Sequence, residues 1–575
     1  MELGAARPSW HVLPLAPREL FETLSQHPPL VAQVLYNRGV RSTLDAQAFL
    51  EPEGTTSHEA WLLPHAREAV DRISRAIRDE ETIAVFGDFD ADGVTASAVL
   101  HEVLTGLDAR VLTYIPDRVA EGHGLNLDAI RELHRQGVGL IITADCGVTD
   151  REQVAAAADL GVDVVITDHH SPPEVLPEAV AIVNPKLDSS PTPYSVLASV
   201  GVAYKLGEAL YQGIGREIDK SLLELVGLGT VADVSPLTGE NRYLLREALR
   251  YLNNTSRPGI RALLDVAGID RGQVDAEAIA FSLGPRINAP GRIDHASPAF
   301  KLLTARSSEE AVPLAQEVDA QNLKRRALTT EILARVDDEL ARKEKLDPIL
   351  IVGDAAFPPG VIGLAAGRLR EQYYRPSIVY QWGPEEVRAS CRSIPEFDMI
   401  AALRRCDGLF TRYGGHAQAA GFTIPTEKLS ALREQLLTIA GEELAGLDLA
   451  PRIVIDAQIS LPKLTSEVIR ALRELGPHGQ GNPAPTFLAR GVEVREVRRM
   501  GVQGQHLRLK LRVGGVAWSA VCFNAPPFPD PPPERADLVF TIAVDHWSGN
   551  GMLQLRVVDM APVGSPAQLP LAAAG

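Results

Sequence analysis

Three groups of acidic and imidazole side chains stand directly after three short apolar runs. They are Asp88, Asp90 and Asp92 in Asp88-Phe-Asp-Ala-Asp-Gly93, then Asp145, then Asp168-His169-His170. Carboxylate oxygens joined by one or two imidazoles suit hard or borderline divalent cations such as Mn²⁺ or Mg²⁺. Were Asp90, Asp92, Asp145 and Asp233 all ionised side by side, their mutual repulsion would raise their pKa values, and two divalent cations would cancel the charge. Such a pair, about 3.5–4 Å apart, stabilises both the attacking and the leaving oxygen of an in-line phosphoryl displacement.

The runs themselves, Thr82–Phe86, Val138–Thr143 and Val162–Thr167, are β-branched and do not alternate, as strands buried on both faces of a parallel sheet do. Helix-like stretches at 94–104, 127–136 and 151–160 separate or follow them, so the rhythm is βαβ. Parallel sheets present their sites at the carboxyl ends of their strands, which is where the acids fall. Taken alone, Asp-Ala-Asp-Gly equally suits a turn and Asp168-His-His a helix cap. Three such coincidences at one sheet edge favour a site.

The pattern divides the chain of 575 residues into a multidomain α/β protein. Residues 1–60 read as an N-terminal helical cap and 61–319 as the parallel-sheet domain. Leu328, Ile332, Val336 and Leu340 recur every fourth residue in a connecting helix placed at 320–346. A second α/β domain follows at 347–450. Residues 451–562 are strand-dominated and predict a small β-barrel of OB type, and 563–575 a disordered tail.

A net charge of −17 argues against a nucleic-acid partner only if the charge is evenly spread. Between Arg490 and Arg512 seven basic residues, among them Arg490, Arg498, Arg499, Arg508 and Lys510, face two acidic ones. That local excess suits a single-strand track, with Phe487, Trp518, Phe523 and Trp547 as stacking candidates. Four scattered cysteines lack the spacing of a zinc ribbon or a disulfide framework. No secretory signal and no apolar run of roughly 18 residues is visible, so a soluble cytoplasmic protein without a membrane partner is expected.

These residues carry a family resemblance. Asp88-Phe-Asp-Ala-Asp-Gly93, Asp145-Cys-Gly147, Asp168-His-His170 and Gly229-Thr-Val-Ala-Asp233 resemble motifs I to IV of the DHH phosphoesterase superfamily. Arg388-Ala-Ser-Cys-Arg392 and Gly414-Gly-His-Ala-Gln-Ala-Ala-Gly421 resemble its DHHA1 domain. With Leu35-Tyr-Asn-Arg-Gly39, Ile115-Pro-Asp-Arg118, Glu121-Gly-His-Gly-Leu-Asn126, Glu240-Asn-Arg242, Pro285-Arg-Ile-Asn-Ala-Pro-Gly-Arg292 and the barrel, the chain is most similar to the RecJ family of single-strand-specific 5′→3′ DNA exonucleases.

The resemblance implies Asp90, Asp92, Asp145, His169 and Asp233 as ligands of two Mn²⁺ or Mg²⁺ ions, with Asp145 bridging and Asp88 in reserve. It places His170 beside them, orienting ligands or the scissile phosphate, and gives Asp168 a supporting role. Arg118, Arg292, Ser390, Arg392 and His416 become the phosphate- and DNA-binding set. One departure stands out: phosphatase-like branches carry a His four residues before the first acid of the Asp-x-Asp pair, where this chain has Phe86. The implied activity is release of 5′-mononucleotides from single-stranded DNA by a monomer acting in recombination and repair, with a helicase and a single-strand-binding protein as partners. Competing readings are an oligoribonuclease or cyclic-dinucleotide phosphodiesterase of the same superfamily, which needs neither basic barrel nor long helix, and a scaffold that has lost catalysis.

Overall fold

The structure, a computed structural model, describes residues 7–51, 59–187, 194–501, 504–525, 533–544 and 553–564. Trp547, most of the 563–575 tail and most of the proline-rich stretch at 525–533 lie outside them. Two compact units emerge, one of residues 56–449 with 479–481, the other of 5–55, 450–478 and 482–575.

The first unit is built on five parallel strands, β1 (Thr82–Gly87), β2 (Arg110–Tyr114), β3 (Val138–Ala144), β4 (Asp163–Thr167) and β5 (Ala181–Val183), in the order β2-β1-β3-β4-β5. The reversal of direction at β1 and β3 opens a crevice at their carboxyl ends, where doubly wound sheets bind ligands. Ile83 to Phe86 and Leu140 to Ile142 are fully buried, so the β-branched runs form the sheet's interior. Helix α1 (Ala91–Thr105) starts where Asp90 caps it, its carboxylate accepting from the backbone of Asp92 at 2.9 Å and Gly93 at 3.0 Å. Helices α2 (Ser199–Gly213) and α3 (Leu223–Ala232) pack against α1, and Asp233 ends α3.

The long helix α4 spans Ser308–Leu340 where the sequence predicts 320–346, so it starts twelve residues earlier and ends six residues earlier. Ser307 caps it, accepting from Glu310 N at 3.3 Å. Its first turns bury Ala311, Ala315 and Val318, whose small side chains leave only a faint apolar period in the sequence. Beyond it, β6 (Leu350–Asp354), β7 (Ser377–Trp382), β8 (Glu386–Arg392), β9 (Arg412–His416) and β10 (Ala419–Pro425) form a mixed sheet in the order β9-β10-β8-β7-β6. Helix α5 (Pro359–Tyr373) packs on β7 and β8.

In the second unit β11 (Ala457–Gln458), β12 (Phe487–Met500), β13 (His506–Val513), β14 (Val516–Cys522), β15 (Arg535–Val544) and β16 (Leu553–Pro562) run in the order β11-β12-β13-β14-β16-β15. Pairing of β12 with β15 closes five of them into a barrel. The N-terminal segment carries helices Arg18–Thr23, Pro29–Asn37 and Thr43–Leu50; ahead of them the strand Ser9–Val12 pairs in parallel with Arg452–Ile455, and Arg38 holds Asp456 at 2.9 Å.

Candidate active site and metal centre

Asp90, Asp92 and Asp168 are held by backbone donors, and Asp145 and Asp233 by serine hydroxyls, before any ligand is considered. Asp92, buried at the start of α1, accepts from Ser199 N at 2.8 Å and Val200 N at 3.0 Å, so it also caps α2. Asp145 follows β3 with φ +71°, a left-handed conformation uncommon outside glycine, and accepts from Ser199 Oγ at 2.8 Å. Asp168 accepts from the backbone of His169 at 2.7 Å, His170 at 3.0 Å and Val148 at 3.1 Å, and from His170 Nδ1 at 2.7 Å. Burial works against charge on the His170 ring, but that last bond to the Asp168 carboxylate raises its pKa above the usual imidazole value.

The side chains converge. His169 Nε2 lies 3.4 Å from Asp145, 4.0 Å from Asp92 and 4.0 Å from Asp233. Three overlapping clusters have donor atoms mutually within 4.8 Å: Asp145 with His169 and His170; Asp92 with His169 and Asp233; and Asp88 with Asp90 and Asp145. Asp145 therefore stands in two of them.

Burial, then the neighbouring carboxylates, pushes Asp92 and Asp145 well above the usual carboxylate range. Burial and the nearby Asp90 raise Asp233 to about 6, against a hydrogen bond from Ser235. Asp168 behaves oppositely: burial would raise it, yet the His170 contact and the backbone donors hold it at about 2. Burial and the adjacent His170 lower His169 to about 4, which leaves its imidazole neutral with a lone pair to offer.

A pocket of opposite charge is built on Phe89, the residue between Asp88 and Asp90. Arg118 lies over the Phe89 ring at 3.9 Å and donates to Gly291 O at 2.8 Å. Asn288 accepts from Ala91 N at 2.9 Å, fixing the 285–292 segment against the start of α1. Arg292 extends from that segment towards α5, where a Cβ placed on Gly360 would come within 1.8 Å of the Arg292 carbonyl. Glycine alone permits so close a backbone approach. Burial, with Arg118 alongside, lowers Arg292 to about 9. Ser390 and Arg392 stand together on β8, 3.2 Å apart. His416 is exposed on the edge strand β9, level with Ala419 of β10 and through it with Arg392.

Comparison with known proteins places this architecture. Residues 82–230 match the DHH family N-terminal domain, 347–442 the DHHA1 domain and 455–559 the RecJ OB domain. The chain is 36% identical over 538 residues to the single-stranded-DNA-specific exonuclease RecJ of Bacillus subtilis, covering 93% of this chain and 68% of that protein. The chain belongs to the RecJ family. Among solved structures, RecJ from Thermus thermophilus in complex with Mn²⁺ superposes with a TM-score of 0.84 at 30% identity, covering 98% of this chain and 80% of that one. The same protein in complex with Mg²⁺ gives 0.76 at 28% identity, with equal coverage.

The donor set of this RecJ-family chain fits such cations. It offers carboxylates and a neutral imidazole, the mutual repulsion of its acids calls for positive charge, and Asp88 Oδ1 is buried without an aligned hydrogen bond. Phe86 is fully buried and stacked on Tyr114 at 5.2 Å, so it is a core residue and no imidazole enters from β1.

One residue of the centre was not singled out by sequence reasoning. His123, in the Glu121-Gly-His-Gly-Leu-Asn126 stretch, reaches the site with Nδ1 at 3.1 Å from Asp88 Oδ1. Partial burial works against its charge, but Asp88 beside it, with Asp168 and Asp150 beyond, raises it to about 9. Its flanking glycines were the available signal.

On the barrel, Leu507, Leu509 and Leu511 point inward while Arg508, Lys510 and Arg512 point out, and Arg498 pairs with Arg508 across β12 and β13. Arg499 is exposed at the end of β12. Arg490 and Lys510 have carboxylate partners, Asp537 at 2.6 Å and Glu496 at 2.5 Å. Phe487 is core, Trp518 is half-buried and Phe523 is exposed.

Proposed function

We propose that the chain is a Mn²⁺- or Mg²⁺-dependent exonuclease that shortens single-stranded DNA from its 5′ end and releases 5′-mononucleotides, in DNA recombination and repair. The observation that carries this reading is the pairing of two opposite charge clusters on one residue, Phe89. Asp88 and Asp90 flank it in the chain and join the acidic clusters, while Arg118 lies over its ring and Gly291, next to Arg292, approaches its carbonyl. An acidic centre needs cations, and cations beside a guanidinium pocket suit a phosphodiester whose terminal phosphate is also gripped.

Asp90, Asp92, Asp145, His169 and Asp233, with Asp88 in reserve, would hold two divalent ions, which supply Lewis acidity at the phosphate and a more acidic water. The protein's own side chains do the rest. Arg118, Arg292, Ser390 and Arg392 bind the 5′-terminal phosphate and so set the reading direction. Asp168 fixes the His170 ring by its Nδ1 proton, aiming Nε2 at the reacting phosphate. His416 and the exposed Arg498, Arg499, Arg508 and Lys510 contact the strand further along.

Product profiles from 5′-labelled and 3′-labelled single strands with Mn²⁺ test the reading. Early release of labelled mononucleotide from the 5′ end is expected, and release from the 3′ end first would overturn the polarity. Faster turnover of dinucleotides than of strands tens of nucleotides long would favour the oligonucleotide phosphodiesterase reading instead. The same proposal includes monomeric action in the cytoplasm with a helicase and a single-strand-binding protein. Membership of a family whose curated members are named single-stranded-DNA-specific exonucleases supports single-stranded DNA as the shared substrate of such an assembly.

A further inference from the structure

His123 enters the centre from an unexpected direction. It lies on the loop after β2, and the structure fastens that loop on both sides of the histidine. Glu121 accepts from Asp117 N at 2.7 Å, from Tyr114 Oη at 2.6 Å and from Asn126 Nδ2 at 2.9 Å. Asp150 accepts from Leu125 N at 2.7 Å. Gly122 and Gly124 flank the histidine at φ +86° and +89°, and a Cβ on Gly124 would stand 2.6 Å from the Asp150 carboxylate. The glycines allow the tight excursion, and the carboxylates hold its ends.

The ring that results is itself exposed on one side and lies with the other against working parts. Nδ1 faces Asp88 Oδ1 at 3.1 Å, and the ring lies edge-on to His170, centroids 5.4 Å apart, and to Phe89 at 6.4 Å. Asp88 is buried, and that oxygen has no aligned hydrogen bond in the protein. A surface histidine ion pair would contribute little. This one touches a buried carboxylate of the Asp88, Asp90 and Asp145 cluster and a ring of the Asp145, His169 and His170 cluster.

We propose that His123 is a positioning residue of the cation centre, fixing the Asp88 carboxylate through Nδ1 and the His170 ring through its edge. It does from the β2 loop what a side chain at Phe86 cannot do from β1. The inference rests on reading the Asp88, Asp90 and Asp145 cluster as a cation position.

The test is calorimetric titration of the metal-free full chain with Mn²⁺, for the wild type, His123→Phe, His123→Asn and Asp145→Asn. His123→Phe keeps a ring against Phe89 and His170 but removes the donor; the amide of His123→Asn restores a donor near the Nδ1 position. Loss of an outer partner of a metal-binding group typically weakens metal affinity about 10–100-fold. That loss is expected for His123→Phe, with His123→Asn recovering most of it and with far-UV circular dichroism unchanged in both. Wild-type affinity in His123→Phe would overturn the proposal. So would equal losses in the two variants, because packing rather than the donor would then be responsible. Wild-type Mn²⁺ affinity in Asp145→Asn would instead overturn the reading of the cluster as a cation position, and the inference with it.

Discussion

The acidic centre and the arginine pocket meet at Phe89, and they are built differently. In the first, Asp92 and Asp168 are fastened by backbone donors at the starts of α2 and of the segment after β4, so the cluster is rigid before a cation arrives. In the second, Arg118 has one carbonyl and a ring, and Arg292 one carbonyl at 3.5 Å. Gathering like charge in low dielectric costs stability in both places. The difference teaches that the carboxylates are fixed by the fold, whereas the guanidinium groups, with fewer hydrogen bonds, keep more freedom.

The sharpest way to break this contrast is Asp145→Asn. It preserves an acceptor for Ser199 Oγ but removes the charge shared by two clusters, and cleavage is expected to fall by at least about 10³-fold, equivalent to about 4 kcal/mol. Binding to single-stranded DNA, followed by fluorescence anisotropy, should persist. Next is Arg292→Met, which removes charge-assisted hydrogen bonds worth about 1.5–3 kcal/mol to a phosphate. Turnover of 5′-phosphorylated strands should drop roughly 10–100-fold by that figure, 5′-hydroxyl strands should be less affected, and the melting temperature of the ligand-free protein should not fall.

A smaller effect is expected in the pH dependence of stability. The folded pKa of Asp233, about 6, lies above its ordinary value of 3.8, so its carboxyl favours the folded state while protonated. That contribution is complete below about pH 4 and is lost as pH rises through about 6. Melting curves of the cation-free protein should therefore decline between those values, with Asp92 and Asp145 acting in the same direction, and saturating Mn²⁺ should remove the decline. Smallest is the barrel: Arg498→Ala and Arg508→Ala should each flatten the salt dependence of strand binding by about one phosphate contact.

Much of the acidic centre was legible in the sequence, because a buried parallel strand leaves a β-branched run and the acids follow each run directly. Asp88, Asp145 and Asp168 are each one residue past their strand. The glycines around His123 marked a tight loop but not its destination, since the strand before it, Arg110–Tyr114, is an edge strand with no fully buried residue. The start of α4 was hidden behind alanines. The union of Ser9–Val12 with Arg452–Ile455 links residues more than 400 positions apart, and no periodicity encodes such a pairing.

The approach of Gly360 to the Arg292 carbonyl bears on more than packing. It seats the first turn of α5 directly on Arg292, the residue proposed to grip phosphate, while the same segment, through Asn288 and Gly291, is seated on Ala91 and Phe89. A methyl group at position 360 would force those backbones apart and lengthen the span from guanidinium to carboxylate. Under the proposed polarity that span would act as a gauge block, its length setting how far from the gripped end the strand is cut.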